Sequence, residues 1–137
     1  MKKILLIINP ISGKKIYTKI LPKIKEILKK QLFDLNIIES KYKGHIEKIV
    51  LTKEIKKFYC ITIMGGDGSL HEAINGMMKR QDNTKIPLSI IPCGSGNSLC
   101  RDLNMLNPLE SIQAITNDKK INIDLLKITD YENNIIY

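Results

Sequence analysis

Tryptophan is absent from this chain and aromatic residues make up only 5% of it. A core must therefore come mainly from Ile and Leu, and the stacking of bases on exposed rings that grips single-stranded nucleic acid has little to work with. Nucleic acid is not an expected partner. Cysteine is scarce as well: Cys60, Cys93 and Cys100 are odd in number and show no C-x-x-C pairing, which argues against a disulfide framework and against a zinc site. Reduced, packed thiols in a cytoplasmic protein are the expectation. Long hydrophobic runs are missing too, since no window approaches the ~18 apolar residues of a membrane span. Met1-Lys2-Lys3 followed by Ile4 to Ile8 imitates a signal start, but Asn9-Pro10 ends the run after five apolar residues. Any membrane contact is expected to be peripheral. Negative charge is thin in the first part: residues 1–57 hold 15 Lys against 5 Asp and Glu, a net of +10, whereas residues 58–137 carry a net of −2. The basic part suits an anionic membrane surface or nucleotide phosphates. Lysine on solvated helix faces is equally ordinary, and no run of five like charges occurs.

What is present is enough for one globular core. A chain of 137 residues, 43% hydrophobic, is a single domain by length and can bury roughly two-thirds of its unfolded surface. Its centre of organisation is Met64-Gly65-Gly66-Asp67-Gly68-Ser69-Leu70-His71-Glu72, which follows the apolar run Tyr59 to Met64 and leads into helical spacing. Strand, glycine loop, helix is the reading. Gly65, Gly66 and Gly68 let backbone amides close on an anion, which is phosphate chemistry. Ser69 and Glu72 stand in the S-x-x-E spacing of a capping box, expected to fix the helix start and aim its positive end at the loop. Asp67 would be repelled by phosphate unless it holds a metal ion or takes a proton from a hydroxyl, both roles in phosphoryl transfer. The plainer alternative is a tight turn in which Asp67 satisfies backbone amides. Neither the dinucleotide fingerprint nor a Walker A loop fits: His71 and Leu99 stand where the last glycine of G-x-G-x-x-G belongs, and Gly13-Lys14 is followed by Lys15.

Along the chain, Ile4 to Ile8 reads as a strand covered on both faces of a parallel sheet. Asn9, Pro10, Ser12, Gly13 and Lys14 form the loop at its C-terminal end, the edge where open α/β sheets bind ligands. Tyr17 to Leu32 is an amphipathic helix with Pro22 at a kink or at its true first turn. A strand over Leu35 to Glu39, a loop from Ser40 to Gly44 and a helix from His45 to about Lys57 follow. A helix to about Lys79 comes after the central loop, and then a strand from Ile86 to Ile91. Pro92-Cys93-Gly94-Ser95-Gly96-Asn97 is a second glycine loop opening a helix through Leu103, so two polar glycine loops are expected to meet at one sheet edge. Asn107-Pro108 starts another helix, to Thr116. Lys120 to Ile128 alternates as a strand that includes Asp124, and Ile135-Ile136-Tyr137 reads as a returning strand. The division expected is an α/β nucleotide-binding domain over residues 1–119 and, over 120–137, a strand-turn-strand that begins a β-rich second lobe.

Four signatures in order resemble the catalytic domain of the diacylglycerol kinase and sphingosine kinase family: Asn9-Pro10-x-Ser12-Gly13, Ser40 with Gly44-His45, Gly65-Gly66-Asp67-Gly68-Ser69-x-x-Glu72 with Asn75-Gly76, and Pro92-x-Gly94-Ser95-Gly96-Asn97. The resemblance covers nearly the whole chain. It implies a Rossmann-like, mostly parallel sheet with helices on both faces and without the family's C-terminal β-sandwich lobe, which would bind the lipid hydroxyl. It implies an ATP-dependent lipid kinase, with Mg²⁺ entering as Mg-ATP. Asn9, Ser40, the segment Gly65 to Glu72 and Ser95 are implied ATP contacts, with Asp67 the catalytic residue serving the phosphates directly or through Mg²⁺. Lys14, Gly94 and Asn97 join them as loop candidates. His71 and Ser95 are closer to sphingosine-kinase-like members. The implied partner is a lipid, diacylglycerol or a sphingoid base, with peripheral contact to an anionic membrane and a homodimer left open. The alternatives are a relative of NAD kinase, which shares the glycine pair, and a non-catalytic nucleotide-binding fragment.

Overall fold

Ile4, Leu5, Leu6, Ile7 and Ile8 are all shut off from solvent, and the place of their strand explains it. The computed structural model describes residues 1–137. In it β1 (Lys2–Ile8) lies between β2 (Phe33–Glu39) and β3 (Cys60–Gly65), with β4 (Leu88–Pro92) at the far edge. The order is β2-β1-β3-β4, and every pairing is parallel. Alternate side chains then enter opposite layers. Ile4, Leu6 and Ile8 meet Ile24 and Leu28 of α1 (Tyr17–Lys30) and Ile112 and Ile115 of α5 (Pro108–Thr116). Leu5 and Ile7 meet Ile46, Ile49 and Val50 of α2 (His45–Thr52) and Ala73 and Met77 of α3 (Asp67–Met78). Burying each such side chain is worth about 1.5–3 kcal/mol. The result is the expected α/β sheet covered on both faces.

Several boundaries differ from the sequence reading for physical reasons. Pro22 is not at the first turn: it is the sixth residue of α1, exposed on its solvent face, where it deprives the Thr18 carbonyl of its i+4 donor. α2 stops at Thr52 rather than near Lys57 because Arg80 supplies the donors its last carbonyls need. The Arg80 Nη1 donates to the carbonyls of Val50, Leu51 and Lys53 at 2.6, 3.1 and 2.9 Å. Asp82 neutralises this buried guanidinium through two bonds of 2.9 and 2.7 Å, and the hydrogen bonds from Arg80, with one from the Thr84 N–H, hold its carboxyl well below the usual carboxylate range. α5 begins as read, with Asn107 and Glu110 forming a capping box around Pro108.

The strand expected over Lys120 to Ile128 does not form. Residues 121–127 have no regular structure, Asp124 is exposed, and the alternating Ile121 and Ile123 stay open to solvent. Alternation produces a strand only where a neighbour supplies ladder hydrogen bonds. Such pairing is limited to β5 (Ile128–Thr129) against β6 (Ile135–Ile136), an antiparallel hairpin. No helix is long and apolar enough to cross a membrane.

Candidate active site

The chain passes from β1 out to β2 and back across to β3, so the crossovers leave the sheet in opposite directions between β1 and β3. That switch point, at the C-terminal strand ends, is where open α/β sheets of this topology form the crevice that takes their ligands. The loops after β1 and β3 are tied across it. The Asn9 N–H donates to the Met64 carbonyl at 2.9 Å, and the Asn9 Nδ2 donates to the Ser69 Oγ at 2.9 Å. The loop after β4 closes the third side: Ser12 Oγ donates to the Cys93 carbonyl at 3.3 Å.

Glycine is required where backbones touch. A Cβ on Gly13, whose φ is +56°, would stand 1.7 Å from the Cys93 carbonyl oxygen. One on Gly94 would stand 2.5 Å from the Gly66 Cα. The two glycine loops therefore pack main chain on main chain. Gly66 precedes α3 without a side-chain cap, which leaves the first-turn amides of Asp67, Gly68 and Ser69 without intrahelical partners. These donors and the positive end of a 12-residue helix face the crevice together.

Asp67 is exposed at the mouth of this arrangement. Its Oδ1 accepts from the Ser98 N–H at 2.7 Å and its Oδ2 from the Ser98 Oγ at 3.1 Å. It thus caps the start of α4 (Ser98–Asp102) and links both glycine loops. As the turn reading expects, Asp67 satisfies a backbone amide, that of Ser98 just after the second glycine loop. Cys100 lies near enough that the Asp67 charge adds to burial in pushing its thiol up to about 11. Asn97 closes its own loop, bonding the amide and carbonyl of Gly94 at 3.1 and 2.8 Å. Ser95 is exposed at the loop tip, as is Lys14 on its own loop. Pro10 is half-buried beside Asn9, and Ser40, almost buried, donates its N–H to the Ile8 carbonyl at 2.8 Å, which sets it at the same sheet edge.

Glu72 does not make the capping box expected of it. The helix begins at Asp67, so Ser69 is already its third residue and makes no capping box with Glu72. The Glu72 carboxylate reaches across to α2, accepting from the Gly44 N–H at 2.9 Å and the Ile46 N–H at 3.1 Å. Gly44, at φ +87°, offers α2 no side-chain cap of its own. Glu72 therefore shapes the Ser40–Gly44 loop from behind.

Two residues of this site were not singled out from sequence: Ser98, the partner of Asp67, and Arg101, whose Nη2 donates to the Gly96 carbonyl at 3.0 Å. Ser98 had a visible signal, as the first residue after a glycine loop opening a helix. Arg101 and Lys14 are the cations beside the loops. No cluster of three or more His, Cys, Asp or Glu side chains is present to hold a metal. A lone carboxylate fits an Mg²⁺ that arrives on nucleotide phosphates, since this ion commonly takes one or two carboxylates and keeps several waters.

Comparison with known proteins matches residues 3–128 to the diacylglycerol kinase catalytic domain. Sphingosine kinase B of Dictyostelium discoideum is 34% identical over 117 residues, which cover 83% of this chain and 15% of that protein. Sphingoid long chain base kinase 5 of Saccharomyces cerevisiae is 35% identical over 133 residues, covering 91% of this chain and 19% of that one. The crystal structure of a diacylglycerol kinase from Bacillus anthracis superposes with a TM-score of 0.73 at 33% identity, over 85% of this chain and 42% of that one. The chain thus spans well under half the length of these relatives. The match over nearly its whole length, on a fold of the same kind, places this chain in the diacylglycerol kinase catalytic domain family of lipid kinases.

Proposed function

We propose that this chain is the ATP-binding lobe of a lipid kinase that transfers the γ-phosphoryl group to a hydroxyl of diacylglycerol or a sphingoid base. The observation that carries the reading is the meeting of three loops at the β1–β3 crevice, around uncapped α3 amides with Asp67 at the mouth. The amides of Gly66 to Ser69 and of the Gly94 loop bind phosphate oxygens, and Asn9, Ser12 and Ser40 line the remaining edge. Lys14 and Arg101 offset phosphate charge from the flanks. When bound with ATP, Mg²⁺ supplies further charge neutralisation beside Asp67. In the transfer, the γ-phosphorus gains a bond to the lipid oxygen and loses its bond to the β–γ bridging oxygen, which leaves with ADP. The hydroxyl proton passes to Asp67. Positioning and charge stabilisation do most of the work in such transfers, and a positioned base adds about 10²–10⁴-fold. Exposed lysines of α1, among them Lys19, Lys23, Lys25 and Lys29, suit an anionic membrane surface.

Titration calorimetry of the 137-residue chain with Mg-ATP, with NAD and with the Asp67→Asn variant tests this. The expected result is ATP binding without NAD binding, with a change in affinity or Mg²⁺ dependence on Asp67→Asn. A folded chain that binds neither nucleotide would refute the reading. Binding of ATP that Asp67→Asn leaves untouched in affinity and Mg²⁺ dependence favours the second reading, a non-catalytic nucleotide-binding unit, to which the full engagement of Asp67 by Ser98 lends support.

A further inference from the structure

Helix α3 carries a second polar contact two turns beyond Asp67, and the proposed transfer does not use it. Asn75 is 3% exposed, in the middle of a helix, where an asparagine is a poor helix former and an alanine would serve better. Its carboxamide is fully occupied. The Nδ2 donates to the His71 carbonyl one turn back and to the backbone oxygen of Tyr137, both at 3.0 Å, and the Oδ1 accepts from the Tyr137 N–H at 3.0 Å. The side chain thus pairs with both backbone groups of one residue, as a neighbouring strand would. The hairpin it holds has little else. β5 and β6 are two residues each, Ile128 and Ile136 are exposed, and the turn between them is knotted by Asp130, which accepts from Glu132 N, Asn134 N and Asn134 Nδ2. A two-stranded hairpin of this size does not stand alone in water.

We infer that Asn75 is a positioning residue, which pins the β5–β6 hairpin to the helix that presents Asp67. This rests on the lipid kinase reading. One rigid helix then carries both the phosphoryl-side carboxylate and the seat of the hairpin, about 12 Å apart at 1.5 Å rise per residue. Loosening the hairpin therefore frees it from the helix that presents Asp67.

The test is residue-resolved amide exchange of the 137-residue chain, with Mg-ATP calorimetry alongside, for the parent, Asn75→Ala, Asn75→Asp and Tyr137→Pro. Asn75→Ala is expected to speed exchange of Tyr137 and the hairpin amides by about tenfold or more, with β1 and β3 unchanged and ATP affinity within about twofold. Asn75→Asp keeps the acceptor for the Tyr137 N–H but sets a carboxylate oxygen against the His71 and Tyr137 backbone oxygens that Nδ2 now bonds, so hairpin exchange is expected to speed at neutral pH although side-chain volume is kept, which a purely packing role would not produce. Tyr137→Pro deletes the N–H from the other side and leaves α3 intact, so it loosens the hairpin even if Asn75→Ala fails to fold. Hairpin exchange unchanged in Asn75→Ala, or in Tyr137→Pro where the former does not fold, overturns the latch and leaves the kinase reading standing. A parent chain with a protected hairpin but no ATP binding removes the kinase reading instead, and with it the role given to Asn75.

Discussion

Replacing Glu72 by alanine separates a helix cap from a nucleotide ligand. In the parent the carboxylate accepts from the Gly44 and Ile46 amides at 2.9 and 3.1 Å. Each bond contributes about 1 kcal/mol net, and the charge at the start of α2 adds about 0.5 kcal/mol. Alanine returns about 0.4 kcal/mol in helix propensity. The expected loss is therefore about 2 kcal/mol, or about 6 °C in Tm for a chain of this size. Glu72→Gln keeps one acceptor oxygen but loses the charge, and should lose about 1 kcal/mol. Urea unfolding checks both, with equal m-values indicating that the loss is one of stability. An alanine variant within about 0.5 kcal/mol of the parent, but with ATP binding abolished, would refute the cap and restore the role the family resemblance implied.

Three further outcomes follow from geometry already described. Gly94→Ala places a methyl 2.5 Å from the Gly66 Cα; it should lower stability by about 2–3 kcal/mol and weaken Mg-ATP binding, as unfolding and calorimetry will show. Pro22→Ala restores the N–H that the Thr18 carbonyl lacks at an exposed position, and a gain of about 1–3 kcal/mol in urea unfolding is expected. Burial, reinforced by their mutual proximity for Cys93 and by Asp67 for Cys100, pushes both thiols up to about 11. Because the folded value lies above the unfolded one, their contribution to stability is complete below about pH 8.5 and declines as pH rises toward 11. Native thiols should alkylate far more slowly than urea-unfolded ones at pH 8, and the unfolding midpoint should fall between pH 9 and pH 10.5.

Local signals were readable where local physics decides. The continuous run Ile4 to Ile8 announces a doubly covered strand, and Asn107-Pro108 announces a helix start, because the groups involved are neighbours in sequence. The meeting of two glycine loops was also legible, since parallel strands deliver their following loops to one edge. Glu72 was misread because its spacing from Ser69 imitates a capping box while its real partners lie 28 and 26 residues away, on a helix whose packing the sequence does not announce. The end of α2 was missed for the same reason, its carbonyls being satisfied by Arg80 from the loop that follows α3. The alternation over Lys120 to Ile128 was real as a pattern, but a pattern lacks a partner until the sheet provides one.

The order β2-β1-β3-β4 has a kinetic consequence. Strand β1 meets β2 through Ile8 and Glu39, and β3 meets β4 through Ile63 and Ile90, whereas β1 meets β3 through Ile8 and Met64, the longest reach of the three pairings. Closing the longest loop is the slowest to be rewarded. The β1–β3 switch point lies on that last seam, so on the proposed function refolding chains are expected to acquire their helices and outer pairs before they bind ATP. Recovery of binding should trail recovery of secondary structure, and a ligand present from the start should slow unfolding more than it speeds refolding.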